Sequence, residues 1–371
     1  MYRVLLILCA SLICFNVLAL EPRTREHFIH TQSIAPALKG QAVKLYLREV
    51  KMDNTQPTTA VLFIHGGGTP SDVSFDTPYK DYSWMGYLAQ AGFAVYGLDL
   101  TGYGRSTRPT EMNNLCNLSV QEQQQFIPAL IKKTCAKRHT RPLTTIDSDW
   151  SDMDAAVNFI RAQPQIKSLA LIGWSQGGPR SLGYIQRYPG KINNLVLLAP
   201  AYHRNAALKE PSATPVEQLF GVQNYSEFIR GWDKQIGCPN QVDLPIRAVI
   251  WREMLASDER GKTWGNGIRR APEQGTTWGF NQTTATQFTL PTLLITGEFD
   301  KQVLPQRVYE LYEDLGSQQK VLLKLGCSSH RANWETNHSI LFKASADWLR
   351  ATKVENRSHG IISLGYRHAS E

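Results

Sequence analysis

From residue 59 onward, short β-branched apolar runs alternate with longer amphipathic stretches, and this alternation is the strongest constraint on what the chain can fold into. Strand-like runs occur at 60–64, 93–99, 168–173, 194–199, 292–296 and 320–325, with helical stretches at 82–90, 148–162, 179–188, 306–315 and 336–351. The runs carry no polar alternation, which is the pattern of strands covered on both faces. The expected fold class is therefore α/β, a mostly parallel sheet flanked by helices. Two earlier runs, 27–33 and 42–50, are expected to add antiparallel edge strands.

Two stretches break the rhythm, 105–147 and 203–290, and loops that long inside a compact domain carry structure or function of their own. Each follows the C-terminal end of a strand, where open α/β sheets bind ligands, so together they are expected to form a cap. The second carries Trp232, Trp251, Trp264 and Trp278, which either present an apolar surface to substrate or pack the cap itself. The main domain is expected to span 20–351, and 352–371, with little apolar patterning, to be loosely ordered.

Met1-Tyr2-Arg3 followed by the apolar run 4–20 has the form of a secretory signal, with Val17-Leu18-Ala19 offering a small-residue cleavage site. Residues 1–19 are thus expected to be a signal peptide and the protein to be secreted or periplasmic. The alternative is a retained anchor, but the run includes Ser11 and Asn16 and is shorter than the roughly 20 apolar residues of a span, so no stable membrane insertion is expected after cleavage. Export implies an oxidising compartment, in which Cys116, Cys135, Cys238 and Cys327 have three possible pairings. Proximity favours Cys116 with Cys135, leaving Cys238 for Cys327. These cysteines form no Cys-x-x-Cys pair and no His lies at ligand spacing from them, so no metal is expected. The net charge of +8 comes without a dense Lys/Arg run, and the aromatics do not interleave with basic residues, so no nucleic-acid partner is expected.

Gly173-Trp174-Ser175-Gln176-Gly177 directly follows an apolar strand and precedes a helical stretch. That is the strand-turn-helix context of a nucleophile elbow, in which a sharp turn pushes the serine out of the sheet and the glycines allow close approach of strand and helix. On this motif and its place in the strand order, the chain from about residue 60 to 351 resembles the α/β-hydrolase superfamily. The nucleophile position holds Ser175, not Asp, so the resemblance implies acyl transfer, as in esterases and lipases, with the C–C bond cleavage of some serine members open beside it, and sets the chain apart from the haloalkane dehalogenase and epoxide hydrolase branches. Trp174 is similar to the residue before the serine in certain secreted polyester-degrading members, with packing as its alternative role.

The same resemblance places an oxyanion loop at His65-Gly66-Gly67-Gly68, after the strand 60–64. One donor would be a glycine N–H, Gly67 being preferred, and the other the N–H of Gln176; Gly66, Gly68 and Trp174 are expected at the substrate. His65 is expected to brace the loop and not to act as base. Asp99-Leu100-Thr101-Gly102-Tyr103-Gly104 falls short of a dinucleotide fingerprint, so no cofactor is expected. The acid position matches Asp300, with Glu298 as the alternative carboxylate. The base position matches His330, five residues past the strand 320–325, with His338, inside a helical stretch, as its rival. The chain order Ser175, Asp300, His330 is that of the superfamily.

The activity expected is cleavage of a small-molecule or polymeric carboxylic ester through an acyl-enzyme intermediate. An amidase or aminopeptidase, with Glu210, Glu217 or Glu227 reading an amine, and a catalytically silent binding protein stay open beside it.

Overall fold

A computed structural model describes residues 21–53, 55–206, 219–264, 267–272 and 280–366. The expected signal peptide, Trp278, Glu210 and Glu217 lie outside the described residues. An antiparallel pair, β1 (Arg23–Gln32) and β2 (Ala42–Lys51), opens the chain and is followed by β3 (Thr59–Ile64), α1 (Ser71–Phe75), α2 (Trp84–Gln90) and β4 (Ala94–Leu98). Past the first insertion, with its short helix α3 (Val120–Gln124), come α4 (Ile146–Arg161), β5 (Ser168–Trp174), α5 (Gly177–Arg187) and β6 (Asn194–Leu198). The second insertion holds β7 (Phe220–Asn224), α6 (Tyr225–Asp233), α7 (Pro245–Ala256), β8 (Gly267–Pro272) and α8 (Gln282–Thr286). The chain then closes with β9 (Thr292–Gly297), α9 (Pro305–Asp314), β10 (Lys320–Leu325), α10 (His338–Ala351) and β11 (His359–Leu364).

The main sheet has nine strands in the order β1-β2-β4-β3-β5-β6-β9-β10-β11. Only the β1–β2 and β2–β4 pairings are antiparallel. Every residue of β4 and β6 is buried, which explains why these strands read as continuous apolar runs. One face packs Phe63, Trp84, Trp174, Trp334 and Trp348 against α2, α10 and the cap; the other packs Leu62, Leu171, Met153, Leu182 and Leu311 beneath α4, α5 and α9.

The tail departs from expectation. Residues 359–364 form β11, which pairs in parallel with β10 through six registered residues, Leu322 opposite Ile361 among them. Its side chains are mostly outside the core, with Ile362 the buried one, so apolar patterning carried little signal. What holds it is the backbone ladder of β10, which would otherwise be an open edge.

The two insertions share one apolar cluster. Met112, Leu115, Leu118, Phe126 and Leu143 from the first pack against Phe220, Val222 and Trp264 from the second. Trp232 and Trp251 join the main core instead. All three are buried and none of them faces the cavity described below, so packing is their role. Cys116 and Cys135 are bonded within the first insertion, with Cα atoms 5.2 Å apart, and Cys238 and Cys327 join the second insertion to the end of β10, with Cα atoms 5.7 Å apart.

Candidate active site

Ser175 sits between β5 and α5 with φ of 57°, a left-handed conformation that a non-glycine residue holds only where its surroundings enforce it. Its N–H donates to Leu198 O on β6 at 2.9 Å, and its carbonyl accepts from the Gly178 and Ala201 N–H groups. The flanking glycines are steric necessities. A Cβ on Gly173 would lie 2.5 Å from Gly177 O, and one on Gly177 would lie 2.1 Å from Ile64 O.

The other expected residues arrive from neighbouring strand ends. Asp300 follows β9 and His330 follows β10; both are buried, and the His330 Nδ1–H donates to Asp300 Oδ2 at 2.9 Å. Asp300 Oδ1 accepts the Gln302 and Val303 N–H groups at 2.8 Å each, which fixes the carboxylate before the imidazole meets it. With Nδ1 committed to Asp300, Nε2 is the free basic nitrogen. Ser175, Gln176, His330 and Gly66, Gly67 and Gly68 of the loop after β3 line one cavity of about 470 Å³.

The rivals are placed elsewhere. Glu298 is exposed and accepts the Cys327 N–H at 2.9 Å, serving the turn after β10. His338 stacks on Tyr82 with ring centroids 3.8 Å apart and donates to Glu335 O. His65 is fully buried: its Nδ1–H donates to Gly66 O at 2.8 Å, while Nε2 accepts the Leu100 N–H at 3.2 Å. Burial, with the Arg180 charge second, holds its pKa down to about 3, so it is a neutral brace. Trp174 lines the cavity, but its indole N–H donates to His330 O at 2.8 Å and its ring packs edge-on against Trp334, so it ties the Ser175 turn to the His330 loop.

Several residues that sequence reasoning passed over shape the site. The Glu335 carboxylate is buried and accepts the Ser329 N–H at 2.6 Å, the Trp232 Nε1–H at 2.8 Å and Gln241 Nε2 at 3.2 Å, fastening the His330 loop to the cap. Burial pushes its pKa up against those hydrogen bonds. Arg331 donates to Phe228 O and lies over the Phe228 and Trp232 rings; burial brings its pKa down to about 10. Arg180 is buried beneath the glycine loop and bonded to Asp149. Only partners distant in sequence give these groups their roles, so no local pattern marks them. Glu122 and Glu227 also reach the cavity, and the sequence had singled out the second of these. Among the described residues, no group of three His, Cys, Asp or Glu side chains is placed to hold a metal ion, and no helix is long and apolar enough to cross a membrane.

With this geometry in view, residues 59–336 match the family model described as alpha/beta hydrolase fold. No curated protein matches the chain. Among solved structures it is similar to a serine hydrolase from Cycloclasticus zankles (12% identity, TM-score 0.53, covering 88% of this chain and 99% of that one). It is likewise similar to an esterase from Exiguobacterium antarcticum (13%, 0.53, 88% and 100%). A monoacylglycerol lipase from Paleococcus ferrophilus aligns at 18% identity and a TM-score of 0.50, over 83% and 99% of the two chains. At these identities the likeness is one of fold.

Proposed function

The chain belongs to the α/β-hydrolase fold family, and from that premise we propose that it is a serine hydrolase cleaving carboxylic esters, with Ser175 as nucleophile, His330 as base and Asp300 as acid. The observation that carries this reading is the convergence of Ser175, held in a left-handed turn, and an Asp300-bound His330 on one cavity. His330 Nε2 takes the Ser175 hydroxyl proton as Oγ attacks the ester carbonyl. The Gly67 and Gln176 N–H groups stabilise the oxyanion. Collapse of the adduct expels the alcohol, which takes the proton from His330, and leaves an acyl-serine. Water, deprotonated by His330, then releases the acid and restores the hydroxyl. Export through residues 1–19 belongs to the proposal, and the two disulfides support it because such bonds persist in oxidising compartments.

Glu122 and Glu227 at the cavity favour one second reading, an amidase that reads a substrate amine. Against it, Arg270 and Arg331 face the same cavity and would repel that cation, and both carboxylates accept backbone N–H groups, of Val222 and Asn224 respectively. A panel of p-nitrophenyl esters and aminoacyl p-nitroanilides, run on the protein and its Ser175→Ala variant, separates the readings. Ester turnover that disappears in the folded variant is the expected result. Turnover of anilides alone moves the assignment to amidases, and unchanged ester turnover in the variant overturns it.

A further inference from the structure

We infer that Arg180, on α5, is a positioning residue for the oxyanion loop, aiming the Gly67 N–H into the cavity by holding the carbonyl of the preceding peptide inward. The inference rests on Ser175 being the nucleophile and adds to that reading a residue that never touches substrate.

Arg180 is fully buried, and its guanidinium donates in several directions. Nε donates to Asp149 Oδ2 at 2.7 Å, Nη1 to His65 O at 3.1 Å and Gly66 O at 3.3 Å, and Nη2 to the Tyr103 hydroxyl at 3.3 Å. The Gly66 carbonyl also accepts the His65 Nδ1–H at 2.8 Å, so two donors hold it from the interior side. Of the described peptide bonds only Ile127–Pro128 is cis, so the bond between Gly66 and Gly67 is trans. In a planar trans peptide the carbonyl of one residue and the N–H of the next point in opposite directions. With the Gly66 carbonyl drawn inward, the Gly67 N–H is turned away from Arg180, and Gly67 lines the cavity that holds Ser175. Among the described residues, neither the Gly67 N–H nor the Gln176 N–H donates to a protein acceptor, so both are available to an incoming oxyanion.

Glycine makes the loop free to turn, and that freedom is what requires a lock. A Gly66–Gly67 peptide has almost no side-chain barrier to rotating its plane. Without an interior donor the carbonyl can swing round, and an oxygen would then face the developing negative charge. Burying a guanidinium carries a large desolvation cost, and an apolar side chain of similar volume would fill the space without it. The planar fork supplies what an apolar group cannot: donors in fixed directions, reaching two consecutive carbonyls and an aspartate together. The element that carries the arginine begins at the nucleophile turn, so α5 connects both halves of the oxyanion site. Gln176 caps its N-terminus, and Arg180, one turn on, bonds to Gly66 O.

Arg180→Lys keeps the charge beside Asp149 but loses the fork. Active sites are counted by stoichiometric labelling with a fluorophosphonate, and kcat is expressed per labelled site on a p-nitrophenyl ester. Per-site kcat is expected to fall about 10²-fold, the low end for loss of an oxyanion donor, with KM within about twofold. Inhibition by a trifluoromethyl ketone, whose adduct places an oxyanion in the same position, should weaken in parallel with kcat/KM. A purely structural role predicts fewer labelled sites with unchanged per-site kcat, and that result overturns the inference. If Arg180→Lys does not fold, the same measurements on Arg180→Gln, which keeps a planar amide donor but loses the fork, take its place; a per-site kcat within twofold of the parent overturns the inference equally. Ester turnover abolished by Ser175→Ala but unaffected by Arg180→Lys defeats this inference alone. An absence of both turnover and labelling in the parent protein defeats the serine-hydrolase reading, and this inference with it.

Discussion

Two buried arginine–aspartate pairs serve different parts of the molecule. Arg180 and Asp149 lie inside the sheet domain, where the guanidinium reaches past its partner to carbonyls of the glycine loop. Arg269 and Asp258 lie inside the cap. There the Asp258 carboxylate accepts the Arg269 and Gly261 N–H groups and the Arg269 guanidinium, while Nη1 reaches Asn113 Oδ1 in the first insertion. Burial opposes the charge of Arg180, but Tyr103 and Asp149 outweigh it and hold its pKa above the ordinary arginine value. Burial also opposes the charge of Asp258, but hydrogen bonding to Arg269 and the Arg108 charge leave its pKa below the usual range. The pairs are alike in chemistry and differ in what the remaining donors hold: one holds carbonyls of the loop beside Ser175, the other joins two insertions. A buried ion pair is therefore read by its third and fourth contacts.

The sharpest break in the comparison comes from the sheet domain. Asp300→Asn preserves shape but cannot hold the imidazole with Nδ1–H inward, and kcat is expected to fall about 10⁴-fold with little change in the unfolding midpoint. Stopped-flow or steady-state ester kinetics beside a thermal melt check this, and a loss under tenfold argues against Asp300 as the acid. In the cap the converse is expected. Arg269→Met leaves Asp258 buried without its main partner and should cost about 3 to 5 kcal/mol in urea unfolding, while fluorophosphonate labelling of the folded fraction stays at the parent rate. A labelling rate that falls tenfold would show that the cap pair reaches the chemistry after all.

The smallest effect concerns pH. His65 has a folded pKa of about 3 against an ordinary value near 6.5, so between those values the unfolded chain binds more protons than the folded one. Its contribution to stability is complete above pH 6.5 and is lost as pH falls toward 3. Between pH 7 and pH 5 the parent protein should lose about 2 kcal/mol more than His65→Gln, measured by urea unfolding at both values. Equal losses in the two proteins would mean that His65 titrates normally when folded.

Legibility in the sequence followed the range of the interactions. Six of the seven parallel strands were readable to within one or two residues, because a strand buried on both faces must be apolar throughout. The five longer helices of the sheet domain were readable from their amphipathic stretches, whereas β1 begins four residues before the expected run because none of its residues is buried. Gly173 and Gly177 were readable because a steric demand within a few residues leaves glycine as the choice. By contrast, β11 is held by hydrogen bonds to β10, and backbone hydrogen bonds leave little mark on residue type. Trp232, Trp251 and Trp264 are equally apolar whether they face a ligand or a core, so only their neighbours decided that they pack.

By itself the sequence determined the α/β architecture and the strand-turn-helix context of Ser175, because periodicity and local sterics are written into neighbouring residues; Asp300 and His330 were picked out by the family resemblance, and Cys116 was paired with Cys135 on proximity alone. Tertiary structure alone decided that two insertions share one core, that Glu335 fastens the His330 loop to the cap, and that Arg180 lies beneath Gly66. These depend on donors and acceptors brought together from distant parts of the chain, and the direction of a hydrogen bond exists only once both partners are in place.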